Sequence, residues 1–168
     1  AMRHWNFTQE LESLTNLTWI ETRNLDTAMD RIREAESVDI GVVLSVQAIA
    51  FDPDYVLRDD YYEKISELSQ RIEEEGLGDQ VIMVYPIDEP MLHARNSPAI
   101  NRQIMREQLD QLNGDLEELF PGKPLGVIYN YKELFRDDFE IPLEYDWGGF
   151  DCYDNIWNCD NRPFTSYY

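Results

Sequence analysis

The sequence predicts a parallel α/β fold of about five strands, and two observations support this class. First, the strand-like runs at residues 41–46 and 81–85 are continuously apolar. Continuous apolar strands are typical of a parallel sheet that is covered on both faces. Second, segments with helical periodicity separate nearly all of these runs, which is the pattern of βαβ units. A single domain over residues 1–168 accounts for the chain length.

The first elements follow from local patterns. Residues 5–14 are expected to form a short helix, and residues 17–20 form a short β-rich run. Asn24 is a good N-cap for the next helix. The apolar residues of that helix recur at helical spacing, at Leu25, Ala28, Met29 and Ile32.

Two longer helices are predicted from apolar stripes, and glycines mark their ends at Gly76 and at Pro121-Gly122. The first stripe contains Tyr61, Ile65, Leu68 and Ile72, and the second contains Ile104, Met105, Leu109, Leu112, Leu116 and Leu119. The strand-like run at residues 81–85 follows the first of these helices. Further strands are expected after the second helix, at residues 125–129 and 148–152.

Two architectures fit these elements: an arc of a (β/α)-barrel, and an open, doubly wound sheet of five parallel strands. The chain contains neither a G-x-G-x-x-G sequence nor a Walker A sequence. This removes the usual reason to favour a nucleotide-binding open sheet. A complete barrel needs about 250 residues, so a barrel built from these 168 residues is expected to be incomplete.

The composition restricts the partners. The chain has 14 basic and 34 acidic residues and a net charge of −20, which should repel the phosphates of nucleic acids. It has no apolar run of about 18 residues, so a membrane span is not expected. Cys152 and Cys159 could close a small disulfide loop in an oxidising compartment. A secreted or periplasmic location is the expectation, and in such a location the disulfide should form. No oligomeric state is predicted.

Polar and aromatic side chains gather where the predicted strands end. In parallel α/β folds, functional residues collect at the carboxyl ends of the strands. These ends supply Gln47, Tyr85, Asp88, Glu89, Asn130, Tyr131, Asp151 and Tyr153. Aromatic faces that stack on sugar rings, with carboxylates and amides that bind hydroxyl groups, form the mixture expected of a carbohydrate site.

The sequence Asp88-Glu89-Pro90 directly follows a hydrophobic strand. Pro90 is expected to hold Glu89 in extended geometry. Partial burial and a second carboxylate beside it would raise the pKa of Glu89, as a general acid near neutral pH requires. The alternative is that Asp88 or Glu89 caps the next helix.

The segment Ile87-Asp88-Glu89-Pro90 resembles the Asn-Glu-Pro strand end of the large clan of retaining glycoside hydrolases with a (β/α)8 barrel. In that clan this Glu, at the tip of the fourth strand, is the acid/base. Residues 148–153 are similar to the G-x-D-x-Y sixth strand common in such barrels. The resemblance covers most of the chain and aligns its strands with barrel strands two to six.

The resemblance implies a glycoside hydrolase in which Glu89 is the acid/base and the other residues at the strand ends hold a carbohydrate substrate. The chain departs from the clan in two respects. Asp88 replaces the clan's Asn, and the clan's nucleophile, a Glu on strand seven, is expected beyond Tyr168. Strand one is also expected to be missing. A non-catalytic carbohydrate-binding or scaffold domain on a degenerate barrel is the alternative.

Other chemistries have less support. Asp88, Glu89 and His93 are of types that bind metals, but the second histidine, His4, is far away in sequence. We expect no metal site and no cofactor, and interpret His93 as a surface or capping residue. No G-x-S-x-G sequence is present, and Cys152 has no nearby histidine to activate it.

Overall fold

A computed structural model of the chain describes residues 15–130, 133 and 144–151. Within these residues it contains five strands, β1 (Leu17–Glu21), β2 (Gly41–Ser45), β3 (Val81–Tyr85), β4 (Gly126–Asn130) and β5 (Trp147–Asp151). The α-helices are α1 (Leu25–Ser37), α2 (Gln47–Ala50), α3 (Tyr61–Glu74), α4 (Pro90–Asn96) and α5 (Arg102–Leu119), and a 3-10 turn spans Gly78–Gln80. The helix expected over residues 5–14 lies outside the described residues.

All strand pairs among β1 to β5 are parallel. β2 lies between β1 and β3, and β4 pairs with β5. Single bridges from Val84 to Leu125 and from Asp88 to Ile128 join β3 to β4. The spatial order of the described strands is therefore their order in the chain.

This order confirms the parallel α/β class and decides between the two predicted architectures. A doubly wound sheet reverses its strand order at a switch point, whereas consecutive strands of a (β/α)-barrel lie side by side in chain order. The described strands contain no reversal. The open, doubly wound alternative is therefore wrong, and the described strands do not close into a complete barrel.

The helices pack on the strands through the predicted apolar stripes. All four residues of the α3 stripe are buried. In α5, Met105, Leu109, Leu112 and Leu116 are buried, but Ile104 is exposed. Ile104 precedes Met105 by one residue, or about 100° around the helix, and therefore points away from the core. On the strands, Ile20, Leu44, Val84 and Val127 are buried in the same core.

The helix ends agree with the sequence signals. The Asn24 side chain accepts a hydrogen bond from the Thr27 amide at 2.9 Å, which confirms it as the N-cap of α1. Gly76 and Gly122 adopt left-handed backbone conformations, with φ of 70° and 76°, just after α3 and α5. Glycine adopts this conformation without a Cβ penalty, so both helices end where the sequence predicts.

The second face of the sheet is only partly covered by the described residues. Trp19, Val43 and Met83 share one register across β1, β2 and β3, and Trp19 is 41% exposed. The expectation of complete burial on both faces is therefore wrong for this part of the chain. On this face, Trp19 lies two residues before the carboxyl end of β1. None of the described helices combines the length and the apolar character that crossing a membrane would require.

Candidate functional site at the carboxyl ends of the strands

The strand ends bring the candidate residues to one rim of the sheet. Asn130 and Asp151 are paired last residues of β4 and β5. Gln47 follows β2, and Asp88 and Glu89 follow β3. Glu89 and Asp88 are linked by hydrogen bonds to Asn130 and Gln47, respectively. Chain segments more than 40 residues apart therefore meet at this rim.

The backbone of Glu89 differs from the sequence expectation. Its φ of 41° and ψ of 52° lie in the left-handed region, so the prediction that Pro90 keeps Glu89 extended is wrong. A left-handed residue other than glycine costs about 1–3 kcal/mol unless its surroundings hold it. Here the Glu89 amide donates to the Ile128 carbonyl at 2.9 Å. Pro90 occupies the first turn of α4, where the missing N–H costs nothing.

The side chain of Glu89 is held by β4 and does not cap the helix. The Asn130 side-chain amide donates to Glu89 Oε1 at 2.7 Å. Glu89 occupies the N-cap position of α4, but its side chain makes no capping hydrogen bond there. The helix-capping alternative is therefore wrong for the Glu89 carboxylate. Asn130 is only 1% exposed, so its place fits positioning of Glu89 better than the expected contact with a substrate.

Burial is the main cause that raises the pKa of Glu89. The neighbouring carboxylates of Asp88 and Asp151 raise this pKa further, whereas the Asn130 hydrogen bond and the charge of Arg95 oppose the rise. The Glu89 carboxyl therefore keeps its proton to higher pH than an ordinary glutamate. A proton donor that works near neutral pH needs a shift in this direction.

Asp88 is held from both sides. Its backbone amide donates to Gln47 Oε1 at 2.9 Å, and the Tyr85 hydroxyl donates to Asp88 Oδ1 at 2.9 Å. The Ile128 amide in turn donates to the Tyr85 hydroxyl at 3.0 Å. Burial, followed by the charge of Asp151, raises the pKa of Asp88, and the Tyr85 hydrogen bond lowers it.

The geometry corrects the expected role of Tyr85. This residue is only 1% exposed. Its hydroxyl already bonds to Asp88 and to the Ile128 amide. A substrate therefore has no access to Tyr85. This residue instead helps to hold the Asp88 side chain in place.

A cavity of about 320 Å³ opens beside Asp88. The Trp19 and Tyr85 rings pack at a steep angle to each other, with ring centroids 4.3 Å apart. Arg23 and Glu21 form an ion pair at 2.9 Å. The cavity is lined by Trp19, Glu21, Arg23, Ser45, Gln47, Ala48, Asp88 and His93.

Sequence reasoning placed only Gln47 and Asp88 of these eight lining residues in the site, and it missed Trp19, Glu21, Arg23, Ser45, Ala48 and His93. The rule that located Gln47 and Glu89 also applies to the end of β1, where Glu21 lies. Trp19 is two residues earlier, on the same side of the strand, because side chains alternate along a strand. The end of the short strand at residues 17–20 therefore carried the signal for Glu21 and Trp19.

His93 contributes a neutral ring to the cavity. It stacks on Tyr55, with ring centroids 3.7 Å apart, and it hydrogen-bonds the Asp88 backbone. Burial lowers the pKa of His93 to about 4, so the ring is uncharged at neutral pH. The interpretation of His93 as a surface or capping residue is therefore wrong. Among the described residues, no group of three or more His, Cys, Asp or Glu side chains is arranged to hold a metal ion.

Glu133, three residues beyond β4, supports the rim from the helix side. It is fully buried and is paired with Arg102 of α5 and with Arg95 of α4, the latter at 3.5 Å. A buried carboxylate needs such partners, because leaving it unpaired would be strongly destabilising. The pairs tie both helices to the segment that follows β4.

Several expected residues lie outside the described part of the chain. They are Tyr131, Tyr153, Cys152 and Cys159. Substrate contacts by the two tyrosines, the disulfide and the secreted or periplasmic location stay predictions.

The sequence matches no protein-family model and no curated protein. Among solved structures, the chain is similar to a β-glucosidase from Thermotoga maritima in complex with cyclophellitol, at 12% identity and a TM-score of 0.47. That match covers 71% of this chain and 36% of the β-glucosidase. The virulence factor SghA from Agrobacterium tumefaciens matches at 13% identity and a TM-score of 0.44, over 72% of this chain and 35% of that protein. The chain thus spans about a third of each of these proteins.

Proposed function

We propose that this chain carries the acid/base part of a glycoside hydrolase site, with Glu89 as the general acid that protonates the glycosidic oxygen of a carbohydrate. One observation carries the proposal. The Glu89 side chain, free of any capping role, is held at the rim by Asn130. Burial and two neighbouring carboxylates raise its pKa. A fixed carboxyl that keeps its proton is what protonation of a leaving group requires.

The cavity beside Asp88 supports a carbohydrate as the ligand. Trp19 contributes a partly exposed aromatic ring, and Gln47 and Asp88 supply polar groups that line the same cavity. Sugar rings stack on aromatic faces while amides and carboxylates bind their hydroxyl groups. A volume of about 320 Å³ is at the small end of ligand pockets, which favours a single sugar ring.

The proposed chemistry has two stages. Glu89 donates its proton to the glycosidic oxygen as the bond to the sugar breaks, and the aglycone leaves as an alcohol. The resemblance to retaining enzymes implies that a second carboxylate attacks the sugar and that Glu89 then deprotonates the water that releases it. We assign that second carboxylate to none of the described residues.

The test is the rate of Glu89→Gln on two substrates. Glutamine keeps the shape and the hydrogen bond to Asn130 but has no proton to give, so turnover of a natural glycoside should fall roughly 10²–10⁴-fold. An aryl glycoside with a good leaving group needs little protonation, so its glycosylation step should be largely spared. Glu118→Gln, an exposed change on α5, is the matched control and should keep the wild-type rates. Equal rates for wild type and Glu89→Gln on the natural glycoside would end the proposal.

The alternative, a carbohydrate-binding domain without catalysis, is favoured by the Trp19 cavity alone, because that cavity does not depend on Glu89. Binding of a panel of monosaccharides and disaccharides, followed by chemical-shift changes of the Trp19 indole, separates the two functions. Ligand binding without hydrolysis, with unchanged affinity in Glu89→Gln, would establish the alternative.

A further inference from the structure

We propose that Tyr85 is a positioning residue that keeps Asp88 ionised, so that the proton shared by this pair of neighbouring carboxyl groups resides on Glu89. The inference rests on the proposed role of Glu89 as general acid. It deepens that role by assigning how the acid is selected from two adjacent carboxyl groups.

The two hydrogen bonds of the Tyr85 hydroxyl have defined directions. The Ile128 amide donates to the Tyr85 oxygen at 3.0 Å, and a backbone N–H can only donate. A phenol has a single proton, and the Tyr85 oxygen lies 2.9 Å from Asp88 Oδ1. Since Tyr85 is almost completely buried, water does not compete for that proton. The Tyr85 proton is therefore directed to Asp88.

The Tyr85 hydroxyl favours one protonation state of Asp88 over the other. A hydrogen bond to an ionised acceptor is roughly twice as strong as one to a neutral acceptor. The Tyr85 hydroxyl thus stabilises the Asp88 carboxylate over the carboxylic acid. The backbone of Glu89 acts in the same direction and lowers the pKa of Asp88. Asp88 receives this help against its own burial and against the charge of Asp151 on β5.

The charge of Asp88 in turn affects the protonation of Glu89. An ionised Asp88 repels a second negative charge on Glu89, and two adjacent carboxyl groups do not readily ionise together. Asp151 on β5 acts in the same direction, whereas Arg95 on α4 and the Asn130 amide on β4 favour the ionised form of Glu89. Tyr55, which faces Asp88 from the segment before α3, carries no charge at neutral pH, because a tyrosine hydroxyl ordinarily ionises near pH 10 and burial raises the pKa of Tyr55 further. The proton of the pair is therefore left to Glu89.

The test is a carboxyl ¹³C NMR titration of the ligand-free chain, as wild type and as Tyr85→Phe. Removal of the hydroxyl takes a donor from Asp88. The titration midpoint of Asp88 should therefore move to higher pH and that of Glu89 to lower pH. Tyr61→Phe is the matched control, because its buried hydroxyl also donates to a carboxylate, Asp115, but between α3 and α5. It should leave both midpoints unchanged.

Asp88→Asn keeps the test decisive if Tyr85→Phe does not fold. Asparagine can still accept the Tyr85 hydroxyl but has no charge, so the midpoint of Glu89 should again move to lower pH. An unchanged Glu89 midpoint in either folded variant would overturn the inference. The titration needs no substrate, so it is independent of the rate comparison. Full turnover by Glu89→Gln would refute the acid role and leave the titration result standing.

Discussion

Two regions of the molecule use the same hydrogen-bond pattern in different surroundings. At the rim, the Ile128 amide donates to Tyr85, and Tyr85 donates to Asp88. In the helix layer, the Gln111 side chain donates to the Tyr61 hydroxyl at 2.7 Å, and Tyr61 donates to Asp115. Each pattern joins a buried tyrosine to a carboxylate.

The neighbours of the carboxylate make the difference. Asp115 connects α5 to α3, so its hydrogen bond from Tyr61 joins two packed helices. Asp88 lies beside Glu89 and close enough to Asp151 for the charge of Asp151 to raise the pKa of Asp88 further. The donor to Tyr85 belongs to a strand, whereas Gln111 is an exposed side chain. The same pattern is therefore structural between the helices, and at the rim it bears on where a proton resides.

Under the proposed acid role of Glu89, breaking the rim is expected to have its largest effect on turnover. Asn130→Ala removes the amide that holds Glu89 Oε1, and misplacement of a catalytic group lowers turnover by about 10²-fold. Because the Asn130 hydrogen bond lowers the pKa of Glu89, its loss should also move the alkaline limb of the pH–rate profile to higher pH. Asn24→Ala, which removes the α1 cap, should cost about 1 kcal/mol of stability and leave turnover unchanged. Wild-type turnover in Asn130→Ala would show that Asn130 does not position Glu89.

The next effect is on stability and compares the two tyrosines directly. Tyr85→Phe removes the acceptor of the Ile128 amide and a donor to the half-buried Asp88 carboxylate, so the free energy of unfolding should fall by about 1–3 kcal/mol. Tyr61→Phe should cost less, about 0.5–1.5 kcal/mol, because exposed Gln111 can turn to water. Urea unfolding of both variants measures the difference. A larger loss in Tyr61→Phe would contradict the comparison.

A smaller effect is expected on sugar binding. Trp19→Ala removes the aromatic face of the cavity, and loss of one stacking ring is expected to weaken binding by about 10-fold. Trp147→Ala is the matched control. Trp147 is similarly exposed, at 48%, but it is the first residue of β5 and therefore lies at the end of the strand away from the rim. Calorimetry with the best ligand of the sugar panel measures both variants. Equal affinities would place the ligand elsewhere.

The smallest effect is on the pH dependence of stability. Because burial raises the folded-state pKa of Asp88, the folded chain holds this proton more tightly than the unfolded chain. The stability from Asp88 is therefore present below the ordinary aspartate range and is lost as pH rises through the raised pKa. Asp88→Asn does not titrate, so its stability relative to wild type should increase over this window.

A control for this prediction has the opposite sign. The Lys64 hydrogen bond lowers the pKa of Asp60, so Asp60 stabilises the fold above its ordinary range and loses this effect as pH falls. Asp60→Asn should therefore lose stability relative to wild type as pH rises. Urea unfolding of both variants between acidic and neutral pH tests the two signs, and slopes of the same sign would contradict the account.

Much of the fold was predictable because its signals are local. The Asn24 cap, the apolar stripe of α3 and the glycines after α3 and α5 each depend on a few neighbouring residues. The placement of Gln47, Glu89 and Asp151 at one rim was also predictable. It follows from a rule of topology, namely that the carboxyl ends of parallel strands meet at one edge.

Tertiary contacts decided what those residues do there. The sequence by itself determined the parallel strands, the helix boundaries and the carboxylates at the strand ends, because apolar periodicity and capping are read within a few residues. Only the tertiary structure placed Glu89 in a left-handed conformation and joined it to Asn130, 41 residues later. It also buried Tyr85 beneath Asp88 and turned Trp19 into the cavity. These features depend on which strand lies beside β3 and on how far each side chain is removed from water, and both arise only when distant segments pack together.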